Sequence, residues 1–267
     1  QLSTFLENDT DNDSDMDEII DLSSKTENIT VNTPKDENED EEEEEDIVLD
    51  TSPDGNSTVL EATFEKSKKE TENVSKLLSL PVKKFYSKSA DNDDIGSSFN
   101  DWRKQLSNFY SYTDPISIDG MSWTTLEAWF QASKFMYNKD DPVYMNYIKK
   151  FQHEEEYGID PKQSKKQGAK TASKKNKVVL DPNWDTLRNE VMFKGLVYKI
   201  VQKTNIRTIL EKIKDTYFLL HHSTRDTYWG GSKKGDTEIK GKNVLGLMYT
   251  FLAHNLDKIN IDSYKEL

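Results

Sequence analysis

The tryptophans are confined to one part of this chain, and that confinement decides what can fold. All five (Trp102, Trp123, Trp129, Trp184 and Trp229) lie beyond residue 101. Residues 1–98 carry 28 Asp and Glu against 9 Lys and Arg, whereas residues 99–267 carry 21 against 27. A segment that cannot bury apolar surface cannot offset the entropy of ordering it. The sequence therefore predicts a disordered acidic tail over 1–98 and one folded domain over 99–262. The tail's centre, DENEDEEEEED at 36–46, has no apolar period. Two readings fit it: a solvated tail that keeps the protein soluble, or a binding segment for a basic partner.

The chain has no cysteine, which excludes a disulfide scaffold, a thiolate nucleophile and a Cys-ligated zinc site. No apolar run approaches the ~18 residues of a membrane span, and no charged-then-apolar N-terminus suggests a signal peptide. These features read as a cytoplasmic or nuclear protein that is not secreted and has no membrane partner. His221 and His222 adjoin on a predicted strand and face opposite sides, while His153 and His254 stand alone, so neither metal nor cofactor is expected.

Within the domain, LSNFYSYTDPISIDGMSW (106–123) reads as a strand, a turn at Thr113-Asp114-Pro115, a second strand and a turn at Asp119-Gly120. A helix follows, with Thr124 or Thr125 as its N-cap. Helical periods recur over 141–156, 181–203, 205–215 and 241–256, and TYFLLHHS (216–223) is a further strand. The fold class is mainly α with a small antiparallel β-sheet (α+β). Residues 162–177 hold seven lysines and almost nothing apolar, which predicts a disordered basic insertion. Either nucleic acid or the acidic tail suits it as a partner, and without interleaved aromatics it is not a specific nucleic-acid surface.

Three features point to chemistry. In SWTTLEAWFQASKF (122–135), Glu127, Gln131 and Lys134 stand at i, i+4 and i+7 and stack into one polar stripe on an otherwise aromatic helix. A lone glutamate there is ordinarily a surface residue; a stripe of three beside Trp129 and Phe130 also fits a pocket wall. In RDTYWGGSKKGDTEIKGKNVLG (225–246), Asp226 precedes Trp229-Gly230-Gly231, and a glycine-rich loop leads into a helix whose N–H groups could receive an anion. Asp226 either caps that turn or serves as a second functional carboxylate. Asn108-Phe109-Tyr110 and Trp184 supply planar side chains that either fill the core or stack on a heterocycle.

These segments together, in order from Leu106 to Leu256, resemble the NADAR (YbiA-like) domain family. The motifs are LSNFY, then LEAWFQASKF, then W…R…VM, then Asp-x-x-Trp-Gly-Gly and Gly-Lys-Asn-x-Leu-Gly. The resemblance implies an enzyme, an N-glycosidase hydrolysing phosphoribosylamino-pyrimidine intermediates of riboflavin biosynthesis and releasing ribose 5-phosphate. It also admits removal of ADP-ribose from modified guanine, in which case nucleic acid enters only as an ADP-ribosylated substrate. A non-catalytic ADP-ribose or nucleotide reader is the alternative of another class. Carried over by motif, Glu127 matches the essential glutamate of the family's E-H-x-x-Q-A-x-K-F helix, and Gln131 and Lys134 match its polar positions. Trp184, Asp226, Trp229 and Gly230 match pocket residues, and Asn243 matches the closing Asn. The resemblance thus makes Glu127 catalytic; a second group must help the leaving nitrogen depart, and Asp226 is the catalytic candidate for that, with ring protonation by solvent as the alternative. Asn108, Phe109, Gln131, Lys134, Trp184, Trp229, Gly230 and Asn243 contact substrate, with Lys134 and the loop N–H groups before Asn243 on the phosphate. Two positions depart from the pattern: Ala128 stands where a histidine is usual, and His221 where a glutamate is usual.

Overall fold

The computed structural model describes residues 75–90, 94–234 and 238–262. The acidic run at 36–46 lies outside the described residues. Strand β1 (Val82–Phe85) pairs in parallel with β4 (Phe218–His221), with Val82 opposite Phe218 and Phe85 opposite His221. Phe85 is fully buried, its ring centroid 5.5 Å from Tyr249 and 5.3 Å from His221. The packed unit thus begins ahead of residue 99, in a segment that composition assigned to the tail. β1 is only four residues long, and its apolar partners come from a strand far along the chain.

Helix α1 (Trp102–Leu106) buries its two terminal residues. The chain then runs irregularly to residue 115, where a strand was expected. Several carbonyls here and at the end of α1 are taken by lysine side chains instead of a ladder. The fully buried Lys199 ammonium donates to Leu106 O (3.1 Å), Ser107 O (3.2 Å) and the Tyr249 hydroxyl (2.9 Å). The Tyr249 hydroxyl in turn donates to Leu106 O at 2.8 Å. Burial with no carboxylate partner holds the Lys199 pKa well below the usual lysine range.

β2 (Ile116–Ile118) and β3 (Met121–Trp123) form a hairpin about the expected Asp119-Gly120 turn, whose two residues take positive φ of 54° and 76°; β3 is a strand that the sequence did not announce. Helix α2 (Leu126–Ser133) follows at once, capped by Thr125, whose hydroxyl accepts the Ala128 N–H at 3.0 Å. α3 (Pro142–Lys149) starts on proline behind Asp141, which accepts the Val143 N–H at 2.7 Å.

The lysine-rich segment is not a loop. It forms α4 (Pro161–Gln167) and α5 (Lys170–Lys175), and α4 packs on α2. Small residues do the packing: Ser164, Gly168 and Ser173 are buried while most of the lysines point outward. The Ser164 hydroxyl donates to Tyr157 O, and the Tyr147 hydroxyl to Gln167 O, each at 2.6 Å.

The long helix α6 (Trp184–Gln202) packs against α2, and α7 (Thr204–Ile213) follows it. The hairpin β5 (Ser232–Lys234) and β6 (Glu238–Lys240) precedes α8 (Val244–His254), which lies on β4. The architecture is helix-rich with small sheets, as the sequence predicts. The expectation of a purely antiparallel sheet is corrected: of the three described two-stranded sheets, the β1–β4 pair is parallel. Trp102, Trp123, Trp129 and Tyr249 fill the core. Among the described residues no helix is long and apolar enough to cross a membrane.

Candidate active site

α2 enters the core with its aromatic side and turns its polar stripe toward a cavity of about 300 Å³. Glu127, Gln131 and Lys134 line one wall. The Thr125 cap sets the stripe in place, and the Glu127 N–H donates to Asn108 O at 3.0 Å, which fixes the irregular 107–109 segment beside it. Asn108 and Phe109 line the cavity from that segment, Trp184 and Arg188 from the start of α6, Asp226 and Trp229 from the glycine-rich loop, and His221 from the end of β4.

Glu127 is only 7% exposed. Burial pushes its pKa up; the Gln131 amide, donating to Glu127 Oε1 at 2.7 Å, and the Lys165 and Lys134 charges pull against that. Lys134 is itself largely enclosed, and burial lowers its pKa to about 8 against the pull of Glu127. Its ammonium donates to Gly168 O at 3.2 Å and lies 6.0 Å and 5.9 Å from the Phe130 and Trp184 ring centroids. Phe130 packs against both tryptophans, 5.1 Å from Trp184 and edge-on at 5.5 Å from Trp229. The result is an aromatic wall with a carboxylate and an ammonium set into it.

Asp226 takes the capping role and also faces the cavity. Oδ1 accepts the N–H groups of Tyr228 (3.2 Å) and Trp229 (2.9 Å), so it caps the turn, and the residue also lines the cavity. Two sequence-named residues stand back from the cavity lining. Gly230 lets the loop pass close to β4, since a Cβ there would lie 2.6 Å from His221 O. Asn243 clamps β4: its Oδ1 accepts the His221 N–H and its Nδ2 donates to Leu219 O, both at 2.9 Å. The anion-binding role expected of the loop N–H groups also fails. Those of Lys242, Asn243, Val244 and Leu245 all donate to carbonyls of residues 227–230, so they are not available to a phosphate.

Lys165 and Arg188 line the cavity, and neither was given a site role from sequence, although Arg188 is the Arg of the W…R…VM motif. Lys165 was hidden in a uniform lysine run; Arg188 sits one helical turn after Trp184, which was the available signal. The two departures differ in consequence. Ala128 is fully buried away from the cavity, whereas His221 faces it. Burial lowers the His221 pKa to about 4, so its imidazole is neutral near pH 7. Four buried polar atoms on lining residues have no partner among the described residues: Asn108 Oδ1, Gln131 Oε1, Arg188 Nε and His221 Nδ1. All four belong to residues around the same cavity. No group of three or more His, Asp or Glu suited to a metal ion occurs among the described residues.

The cavity thus combines a buried carboxylate, an aromatic wall and the cations Lys134, Lys165 and Arg188. The chain belongs to the NADAR domain family, whose model matches residues 84–256. It is 30% identical over 172 residues to the N-glycosidase YbiA of Escherichia coli (strain K12), covering 64% of this chain and 86% of that protein. It is 26% identical over 133 residues to an N-glycosidase of Nostoc punctiforme, covering 49% of this chain and 76% of the relative. The NMR structure of the E. coli protein YbiA is 26% identical, with a TM-score of 0.45 over 67% of this chain and 88% of that one.

Proposed function

We propose that this protein is an N-glycosidase that hydrolyses the N-glycosidic bond of a phosphoribosylamino-pyrimidine, of the kind formed early in riboflavin biosynthesis, and releases ribose 5-phosphate. The observation that carries the reading is Glu127, a buried carboxylate on the cavity wall on which the Lys165 and Lys134 charges act. The names of the relatives support the reaction class. The cavity, about 300 Å³, is at the small end of ligand pockets and suits one phosphoribosyl heterocycle better than a dinucleotide-sized ligand.

Cleavage builds positive charge on the ribose as the C1′–N bond breaks and its electron pair goes to nitrogen. Ionised Glu127 beside C1′ stabilises that charge and orients the attacking water. The water oxygen bonds to C1′. One water proton stays as the new hydroxyl, and the other passes through Glu127 to the departing nitrogen, with Asp226 nearby as a second proton carrier. Trp184, Trp229 and Phe109 stack on the heterocycle, and Gln131 holds the carboxylate in line. Incubation with phosphoribosylamino-pyrimidine and, separately, with ADP-ribosylated guanine nucleotide, followed by mass analysis, tests the reading. Ribose 5-phosphate from the first is the expected product. ADP-ribose from the second alone would move the activity to the other substrate class, and binding without turnover of either would make the domain a reader.

A further inference from the structure

The phosphate has no place where the sequence suggested one. The N–H groups at the start of α8 are committed to carbonyls of residues 227–230, and the Lys134 ammonium is enclosed and donates to Gly168 O. Two other cations, Lys165 and Arg188, also line the cavity. Lys165 is exposed and makes no hydrogen bond or ion pair among the described residues, yet its charge acts on Glu127, Lys134 and His221. Its helix is held rigidly to the catalytic helix: Gly168 seats against Gln131 and accepts from Lys134, and Gln167 O accepts from Tyr147. Arg188 stacks with its guanidinium carbon 3.8 Å from the Tyr228 ring centroid, while Tyr228 is pinned by donating to Asn189 Oδ1 at 2.8 Å. Its one ion pair is a 3.5 Å contact with the largely exposed Asp185, and its Nε is buried with no partner. A guanidinium fixed by stacking presents its N–H fork in a set orientation, the geometry that suits a phosphate.

We infer that Lys165 and Arg188 form the subsite that takes the phosphate of the substrate, with Lys165 acting as a specificity-determining cation supplied by the lysine-rich segment. The assignment rests on the phosphoribosyl reading for its placement relative to Glu127, but the binding itself requires no turnover. Lys134 then serves the carboxylate, and the two cations on the outer side serve the anion. Division of labour of this kind explains why a segment with so little apolar content is nonetheless packed into the domain.

Calorimetry with ribose 5-phosphate, ribose, inorganic phosphate and ADP-ribose tests this without any reaction. For the full chain, ribose 5-phosphate is expected to bind and ribose to bind far more weakly. Lys165→Ala should weaken ribose 5-phosphate binding about tenfold, the loss of one charge-assisted contact, with no change for ribose. Arg188→Lys, which keeps the charge and removes the fork, should weaken it comparably. Lys166→Ala, next in sequence, exposed and outside the cavity lining, should behave as the unaltered protein. A loss confined to ADP-ribose would support the same subsite and assign it to a pyrophosphate. Unchanged affinity in Lys165→Ala, or no binding of any phosphate compound to the full chain, would overturn the inference. Phosphate binding that depends on Lys165, in a protein that hydrolyses neither substrate class, would sustain the subsite and defeat the enzymatic reading.

Discussion

Gln131 Nε2 donates a 2.7 Å hydrogen bond to Glu127 Oε1, one helical turn away, inside the cavity wall. The bond is the local counterweight to burial, which otherwise drives the Glu127 carboxyl toward its neutral form. It also leaves Gln131 Oε1 without a partner, so the pair is complete only on its carboxylate side. Removing the amide while keeping the volume, as in Gln131→Leu, should therefore raise the Glu127 pKa further. In the proposed mechanism the ionised carboxylate is the active form, so activity is expected to appear as pH rises through that pKa. The acid limb of the pH profile of kcat/KM should move to higher pH in the variant. An acid limb at the same pH would mean that Gln131 does not tune Glu127.

Glu127→Gln keeps the shape of the side chain and removes its charge and basicity. Release of ribose 5-phosphate should fall by about 10²–10⁴-fold, the usual worth of a positioned base. The fold should survive, because the change relieves the desolvation of a buried carboxylate; a thermal melt alongside the turnover assay checks both halves. Wild-type turnover in this variant would remove Glu127 from the mechanism.

Much of the site was legible because it sits on one short helix. Glu127, Gln131 and Lys134 share a face by spacing alone, and the Thr125 cap and the Asp119-Gly120 turn have strong local signatures. What was not legible depends on distant partners. β1 is a strand because β4 offers it a parallel edge, and nothing within residues 82–85 announces that pairing. The 107–115 segment has strand-like composition but gives the Ser107 carbonyl to Lys199 and the Asp114 and Pro115 carbonyls to Lys203, which arrive from α6 and the residue that follows it. α4 packs through Ser164 and Gly168, residues that carry no hydrophobic signal, so its lysines read as a solvated loop. Lys165 follows from that: a cation is recognised as lining a site only when its helix is known to be docked there.

Gly168 is where α4 meets the polar stripe. A Cβ at this position would lie 2.0 Å from Gln131 Oε1 and 2.7 Å from Gln131 Cβ. Gly168→Ala must therefore displace either the α4 terminus or the Gln131 side chain. Overpacking of this kind typically costs about 1–3 kcal/mol, which chemical denaturation would read directly. Because Gln131 holds Glu127 and Gly168 O holds Lys134, the same substitution should lower kcat. Stability and turnover both equal to wild type would show that α4 is not docked as described.

Lys134 is expected to set the other limit of the pH profile. Burial brings its pKa down to about 8, so its ammonium is present below that pH and is lost above it. While charged, it favours the ionised form of Glu127 and donates to Gly168 O. Loss of the proton removes the first effect and weakens the second, so kcat/KM should decline as pH rises past about 8. Lys134→Arg retains a cation that does not titrate in this range and should abolish the alkaline decline, at some cost in kcat from the altered fit. Lys134→Met should also lack the decline, but with low activity throughout and an acid limb moved to higher pH, because Glu127 loses a charge that keeps it ionised. The decisive comparison is the alkaline side of the arginine variant: if its activity still falls near pH 8, the group that titrates there is not Lys134.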